Sequence, residues 1–197
     1  MRIPFSSLTL KQVMPMIPAT QVYDWEMEAK PHPPSAHLLE DLRRLQVFKI
    51  STSEAGKLTL VDALLKEILF SYPQIAAWKE VTLSTDQLKG VADFVIAPNL
   101  AYLTTPLLCV IEAKKDDFEK GEAQCIGGML ACLLENQKEG KPTHVFGIVS
   151  NGEGWQFYQL TTDHQVFRSK QFGIGLLPEL LGILNGFFAK VQAILSS

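Results

Sequence analysis

The stretch that decides the fold reads GVADFVIAPN at residues 90–99 and PLLCVIEAKKDDFEKGEAQ at residues 106–124. It contains two apolar runs, Val91–Ile96 and Leu107–Lys114, whose β-branched residues predict two neighbouring strands. One acidic residue lies inside each run, although acidic side chains are seldom fully buried in a fold. These two carboxylates are therefore the first candidates for chemistry.

The two strands predict an antiparallel hairpin closed by residues 100–105. Its symmetric register places Asp93 directly across from Glu112, with β-carbons roughly 4.5 to 5.5 Å apart. Like charges at that separation are destabilising unless a cation neutralises them. Mg²⁺ or Mn²⁺ suits the pair, because these ions take one or two carboxylates and fill their other positions with water and phosphate. We therefore expect one or two such ions here.

Lys114 lies two residues beyond Glu112, so the period of a strand puts both side chains on one face, roughly 6 to 7 Å apart along it. Phosphodiester hydrolysis needs a metal that lowers the pKa of water and a positive group near the attacking oxygen. The trio of Asp93, Glu112 and Lys114 supplies both. A salt-bridged cluster with only a structural role is the alternative, and spacing alone leaves it open.

The rest of the chain predicts an α/β fold with a central mixed sheet flanked by helices. Six prolines punctuate residues 1–34, which predicts an irregular N-terminal wrap. The predicted elements after it are a helix capped by Ser35 and ending at Leu45, strand Val47–Ile50, helix Lys57–Phe70, strand Trp78–Leu83, the hairpin, helix Asp117–Gln137, strand Thr143–Val149, turn Asn151–Gly154, strands Trp155–Leu160 and Val166–Ser169, and an apolar helix over 175–195.

The order of these features resembles the PD-(D/E)XK nuclease superfamily. The resemblance is carried by the helix with Glu67, the strand with Asp93, the tripeptide Glu112–Lys114 and Gln124 on the following helix. It covers roughly residues 57–160 and implies a restriction-endonuclease-like core of order α-β-β-β-α-β. The segment VFGIVSNGEGWQFYQL also resembles the strand-turn-strand that follows the core helix in such proteins.

The resemblance also implies roles for individual residues. Asp93 and Glu112 would bind the metal together with the carbonyl of Ala113, and Lys114 would attend the attacking water. One position departs from the family pattern, since Ala92 stands where many members have proline. Proline supplies no metal ligand, so this departure leaves the implied roles unchanged.

Two further residues have both a functional and a structural interpretation. Glu67 lies on a partly apolar flank of its helix, beside Ala63 and Leu64, and is either an additional metal ligand or an exposed helix residue. The resemblance implies that Gln124 points at the site and orients water or a phosphate oxygen. The alternative for Gln124 is a polar residue that faces solvent.

Neighbouring charged residues have lesser roles. Glu80, on the strand Trp78–Leu83, is a weaker substitute for Glu67. Lys115 either contacts phosphate or solvates the strand end, and Asp116 or Asp117 caps the following helix.

Composition bounds the class of protein. A chain of 197 residues with 47% hydrophobic and 20% charged residues is expected to form one soluble domain, residues 1–197, in the cytoplasm. Its formal net charge of -3 provides no general basic field for nucleic acid, although a local basic groove is compatible with it. The three cysteines lack metal-site spacing and have apolar neighbours, which predicts buried, reduced thiols. The four histidines are scattered, so no histidine-centred catalytic constellation is visible.

The apolar C-terminal helix predicts a buried or partner-facing element. Glu179 and Lys190 interrupt it with ten residues between them, which is too short a span to cross a bilayer. Six apolar residues recur at helical spacing and must be covered by the domain or by a second copy, which suggests a homodimer or a larger complex; they are Leu180, Leu181, Leu184, Phe187, Phe188 and Val191.

Three functions follow from these observations. The leading prediction is a metal-dependent DNA endonuclease that uses Asp93, Glu112 and Lys114. A non-catalytic binding or assembly subunit with the same fold is the second, motivated by the acidic balance and the apolar C-terminal helix. The third is a metal-dependent hydrolase of RNA or of another phosphate substrate, because a fold does not determine a substrate.

Overall fold

A computed structural model describes residues 2–18, 21–114 and 118–196. The helices in these residues are α1 (Leu10–Val13), α2 (Ala36–Leu45), α3 (Glu54–Leu69), α4 (Phe118–Lys138) and α5 (Leu177–Ala193). The strands are β1 (Ile3–Pro4), β2 (Val22–Asp24), β3 (Ile75–Ser84), β4 (Leu88–Pro98), β5 (Cys109–Ala113), β6 (Val145–Ser150), β7 (Gly154–Leu160), β8 (Val166–Arg168) and β9 (Phe172–Gly173). The protein therefore has the α/β class that its sequence predicts.

The strands form one mixed sheet in the order β1-β4-β5-β6-β7-β8-β2, with β3 paired to β4 and β9 paired to β7. The consecutive strands β3, β4 and β5 are antiparallel neighbours. Helix α4 then connects β5 to β6, which lies parallel to β5, and β7 returns antiparallel to β6. The predicted mixed sheet flanked by helices is thus confirmed.

The two edges of the long strand β4 have different partners. One edge pairs with β3 along most of its length, while the other pairs with β1 at Leu88 and Lys89 and with β5 at residues 94–96. Pairing with β5 ends at Phe94, one residue before Asp93 is reached. The two strands therefore separate at Asp93, and the side chains of the candidate site lie at this separation.

Two apolar cores lie on the two faces of the sheet. Helices α2, α3 and α5 cover the first core, while α4 and the N-terminal segment cover the second. Strand β5 contributes to both cores, since Cys109 and Ile111 face the first and Val110 faces the second. All five residues of β5 are buried, as expected for a strand covered on both faces. The three cysteines are buried and free, as predicted.

The start of α3 differs from the prediction. The sequence predicts a helix from Lys57, but the helix begins at Glu54 because the side chain of Ser53 accepts a hydrogen bond from the backbone N–H of Gly56. An N-cap of this kind satisfies one of the N–H groups that have no partner within a helix. The predicted cap of α2 is confirmed, since the Ser35 hydroxyl accepts from Leu38 N–H.

The predicted strand Val47–Ile50 is wrong. Residues 46–48 form a turn and a bend after α2, and a 3₁₀ turn follows at Ile50–Thr52. The side chains of Val47 and Phe48 are exposed. Apolar and β-branched residues favour a strand only where a neighbouring strand and a buried face exist, and this segment has neither.

The N-terminal segment contributes a strand to each end of the sheet, whereas its sequence predicted only an irregular wrap. Strand β1 pairs in parallel with β4, and β2 pairs in parallel with β8 at the other end of the sheet. Between them, Phe5, Leu8, Val13 and Ile17 are buried in the second core against α4. The segment is thus part of the domain rather than an appendage.

The C-terminal helix packs on its own domain. All six apolar residues that the sequence singled out are buried in the first core, so the chain itself covers them. Within the described residues, the stretch Ile174–Ser196 is long and apolar enough to span a bilayer by length and composition alone, a property that core helices share. A homodimer through this helix stays a prediction and would need another face of it.

Candidate functional site

The register of the hairpin agrees with the sequence prediction. Residues Phe94, Val95 and Ile96 pair with Ile111, Val110 and Cys109, and one further step places Asp93 opposite Glu112. At that step Asp93 Oδ2 accepts a hydrogen bond of 2.8 Å from the Ala113 backbone N–H. The carboxylate of Asp93 therefore holds the two strands together where regular pairing ends.

The ammonium group of Lys114 lies close to the carboxylates of both Asp93 and Glu112. Its Nζ lies 3.1 Å from Glu112 Oε2 and 3.9 Å from Asp93 Oδ2. Glu112 is 2% exposed and Lys114 is 8% exposed, whereas the side chain of Asp93 remains 27% exposed. The trio thus forms a mostly buried cluster that opens to solvent beside Asp93.

Burial dominates the electrostatics of the two acids. It raises the pKa of Glu112 to about 7, an effect that the charge of Asp93 reinforces and that Lys114 opposes. Burial also raises the pKa of Asp93, against the Ala113 N–H and Lys114, which stabilise the charged form. Burial alone would lower the pKa of Lys114, but the charges of Glu112 and Asp93 outweigh it and raise that pKa. One ammonium group therefore does not fully compensate two carboxylates.

Two buried oxygens on this face of the sheet have no hydrogen-bond partner among the described residues. They are Glu112 Oε1 and Gln124 Oε1. Gln124 is 7% exposed, so the alternative in which it faces solvent is wrong. A buried oxygen without a donor costs free energy, roughly 1 to 3 kcal/mol, and such groups call for an explanation. Both oxygens are therefore still able to accept a hydrogen bond from a ligand or to bind a cation.

Helix α4 brings Gln124 to the sheet through a close approach at Gly121, one turn earlier. A β-carbon added at Gly121 would lie 2.8 Å from Val149 Cγ1 and 2.9 Å from Lys114 Cγ. Only glycine lets the helix backbone rest on the lysine side chain in this way. The first turn of α4 thus packs directly on the aliphatic part of Lys114.

Glu67 does not take part in this cluster. Its two oxygens accept hydrogen bonds of 2.8 Å from the backbone N–H and the hydroxyl of Ser35, at the N-terminus of α2. It follows Glu54 by thirteen residues on α3, which corresponds to about 20 Å of helix. The expectation of Glu67 as a metal ligand is therefore corrected, because its charge is used to tie α2 to α3.

Glu54 occupies the position near the site that the sequence assigned to Glu67. It is the exposed first residue of α3, and its negative charge raises the pKa of Asp93, Glu112 and Lys114. The sequence signal that could have found it is Ser53, because a serine N-cap starts the helix three residues earlier than predicted.

Glu80 lies beside Asp93 on the other neighbouring strand. The pairs Lys79 with Phe94 and Val81 with Ala92 flank it, so Glu80 faces Asp93 across β3 and β4. Its backbone has a φ of 51°, in the left-handed region that non-glycine residues seldom adopt. The exposed carboxylate of Glu80 further raises the pKa of Asp93.

The residues present fit a small hard cation that is held by two carboxylates. No group of three or more histidine, cysteine or acidic side chains suited to one ion occurs within residues 2–18, 21–114 and 118–196. Mg²⁺ does not need such a group, since it commonly retains several waters and uses one or two carboxylates with substrate phosphate. Glu112 Oε1, which lacks a donor, is the oxygen that such an ion would satisfy. The predicted roles of Lys115 and of Asp116 or Asp117 lie outside the described residues.

No protein-family model matches the chain, and no curated protein matches it.

Proposed function

We propose that this protein is a metal-dependent nuclease of the PD-(D/E)XK type, which hydrolyses DNA phosphodiester bonds. The order α3, β3, β4, β5, α4, β6 supports this proposal, because it is the α-β-β-β-α-β core that the resemblance implies. The antiparallel run of β3, β4 and β5, followed by a parallel β6, brings the Asp93 strand beside the Glu112-Ala113-Lys114 strand. The fold alone does not determine the activity, since one fold hosts many activities, so the support for this function comes from the site.

The observation that carries the proposal is the uncompensated oxygen of Glu112. Glu112 Oε1 is buried without a donor, while its other oxygen and Asp93 share the single ammonium group of Lys114. A purely structural salt bridge would be expected to satisfy the buried acid, because an unpaired buried charge is strongly destabilising. A divalent cation at this oxygen would satisfy it and would also activate water for attack on a phosphate.

The proposed roles follow from the contacts. Asp93 and Glu112 would hold the cation, and the Ala113 N–H fixes the orientation of Asp93. The Ala113 carbonyl would be a third oxygen, as the family resemblance implies. Lys114 donates to the attacking water or to the developing negative charge on phosphate. Gln124, whose amide oxygen is unpaired, orients water from the α4 side.

The test measures metal binding and cleavage together. Binding of Mg²⁺ and Mn²⁺ is followed by calorimetry, and cleavage is assayed on supercoiled, linear and single-stranded DNA. We expect metal-dependent nicking that Asp93→Asn, Glu112→Gln and Lys114→Met each reduce by at least about 100-fold. Glu67→Gln is the matched control, because it neutralises a half-buried carboxylate away from the cluster and should leave cleavage unchanged.

The alternative functions give different outcomes. Metal binding with RNA cleavage but no DNA cleavage would reassign the substrate and keep the site. Absence of both metal binding and cleavage in folded wild-type protein would overturn the nuclease proposal and favour the non-catalytic subunit. Cleavage that survives in all three variants would come from a contaminant or from another site.

A further inference from the structure

Lys57 is a buried lysine without a partner. It lies in the second turn of α3 and is only 5% exposed. Its ammonium group forms no hydrogen bond or ion pair among the described residues, and it is not one of the buried polar atoms that lack a partner there, so it reaches solvent. The aliphatic part of the side chain is therefore buried, while the ammonium group remains available to an anion.

The acids of its own helix do not supply that anion. Glu54 precedes Lys57 by three residues, which is a spacing that permits an ion pair on a helix. The two side chains nevertheless form no salt bridge within 4.0 Å, in contrast to Lys66 on the same helix, which pairs with Asp41. The ammonium group of Lys57 is directed elsewhere.

The side chain of Lys57 runs along the turn that follows β6. A β-carbon added at Gly152 would lie 2.9 Å from Lys57 Cδ and 3.8 Å from Lys57 Nζ. Gly152 has a φ of 85° and donates its N–H to the Ser150 hydroxyl. The absence of a side chain at Gly152 keeps the space around the ammonium group open.

This turn and the carboxylate cluster share one end of the sheet. Strands β5 and β6 are parallel neighbours, and the Lys114 N–H donates to the carbonyl of Ser150, two residues before Gly152. Glu54, one turn before Lys57, acts electrostatically on Asp93, Glu112 and Lys114. Ligands of α/β sheets commonly bind at the carboxyl ends of parallel strands, which is where Lys57 lies.

We propose that Lys57 binds a phosphate group of the nucleic-acid substrate next to the phosphate that is cleaved. The inference rests on the proposed function, which supplies the polyanionic substrate. The N-terminal turn of α3 assists, because N–H groups at a helix start favour negative charge. Lys57 thereby provides the local positive charge that a protein with net charge -3 needs to retain a polyanion.

The test measures DNA binding without cleavage. A labelled duplex and its single strand are titrated with wild-type protein in EDTA at several salt concentrations. Lys57→Met keeps the aliphatic packing and removes the charge, and Lys57→Gln is made in parallel in case the first variant misfolds. Lys66→Met is the control, because it removes an exposed charge from the same helix.

We expect Lys57→Met and Lys57→Gln to weaken binding several-fold and to reduce the salt slope of log K by about one, while Lys66→Met changes neither. Lys57→Met should also be about as resistant to heat as wild type, since methionine keeps the buried aliphatic packing and only a solvent-accessible charge is removed. Inorganic phosphate should raise the melting temperature of wild type more than that of Lys57→Met.

Equal affinities and salt slopes in wild type and the Lys57 variants would overturn the inference. An equal loss in Lys66→Met would also overturn it, because the effect would then be one of overall charge. Failure of the nuclease proposal is seen separately. In that case wild type does not cleave DNA in Mg²⁺, whereas the binding difference at Lys57 in EDTA persists.

Discussion

The balance between burial and pairing at Glu112 decides the chemistry of the site at the scale of single residues. Burial favours the neutral acid, whereas the Lys114 ammonium group favours the carboxylate, and the pKa settles at about 7. A carboxyl group in this range changes charge near neutral pH. Under the proposed function, a cation that binds Glu112 would replace this proton.

Glu112→Gln should remove a pH dependence of stability in metal-free protein. The pKa of Glu112 is about 7 in the folded protein, whereas an unburied glutamate has a pKa of 4.5, so the folded state binds more protons between these two pH values. The free energy of unfolding of wild type should therefore fall as pH rises through this window, by on the order of 3 kcal/mol from this group.

Urea unfolding in EDTA at about pH 5 and about pH 8 measures this effect. Glu112→Gln should match wild type at the lower pH and exceed it at the higher pH. The same loss of stability in both proteins between the two conditions would contradict the assigned pKa.

At the scale of helices and strands, the close contact between α4 and the sheet determines where the side chains of the candidate site lie. Gly121 lets the first turn of α4 rest on Lys114, and Gly128 meets Val110 farther along the same helix. A helix without these small residues would stand farther from the sheet and would leave Lys114 free to rotate away from Glu112.

Gly121→Ala should be destabilising although alanine favours helices. The added β-carbon meets Val149 and Lys114 at less than 3.0 Å, so the helix or the lysine must shift, at a cost of about 1 to 3 kcal/mol. Gly186→Ala, in α5, is the matched control, because its β-carbon meets nothing within 4 Å. That variant should be stabilised by about 0.5 to 1 kcal/mol.

Thermal unfolding of the two variants compares these effects directly. Metal affinity provides a second readout, which Gly121→Ala should reduce and Gly186→Ala should leave unchanged. Equal stabilisation by both substitutions would show that α4 does not press on Lys114.

At the scale of the whole molecule, one apolar core packs against each face of the sheet. Phe187 of α5 lies at the centre of the first core, with ring contacts to Phe146, Phe157 and Phe188. The same core contains Ile111 and Ala113, the neighbours of Glu112 on β5. The C-terminal helix therefore supports the strand that carries the site from the opposite face.

Phe187→Ala should lower the free energy of unfolding by about 3 to 5 kcal/mol, because it opens a cavity in a closed core. Phe70→Ala is the matched control, since that side chain is 91% exposed, and it should change stability by at most about 0.5 kcal/mol. Denaturant unfolding compares the two variants. A small effect at Phe187 would mean that α5 is only loosely attached to the sheet.

The sequence by itself determined the α/β class, most of the helices and central strands, and the register that sets Asp93 opposite Glu112. These features could be predicted because the alternation of strands and the periodicity of helices are visible in short stretches of consecutive residues. The cluster with Lys114 followed from the same period of two. Predictions failed where a feature depends on distant partners or on a single cap.

Only the tertiary structure decided which helix residues reach the site. Glu54 lies near it and Glu67 does not, because Ser53 starts α3 early and Ser35 binds the Glu67 carboxylate from another helix. The short strands of the N-terminal segment form only through pairing with β4 and β8, and Val47–Ile50 finds no such neighbour. Burial, which raises the pKa of Glu112 and covers the aliphatic part of Lys57, likewise arises only when distant elements pack together.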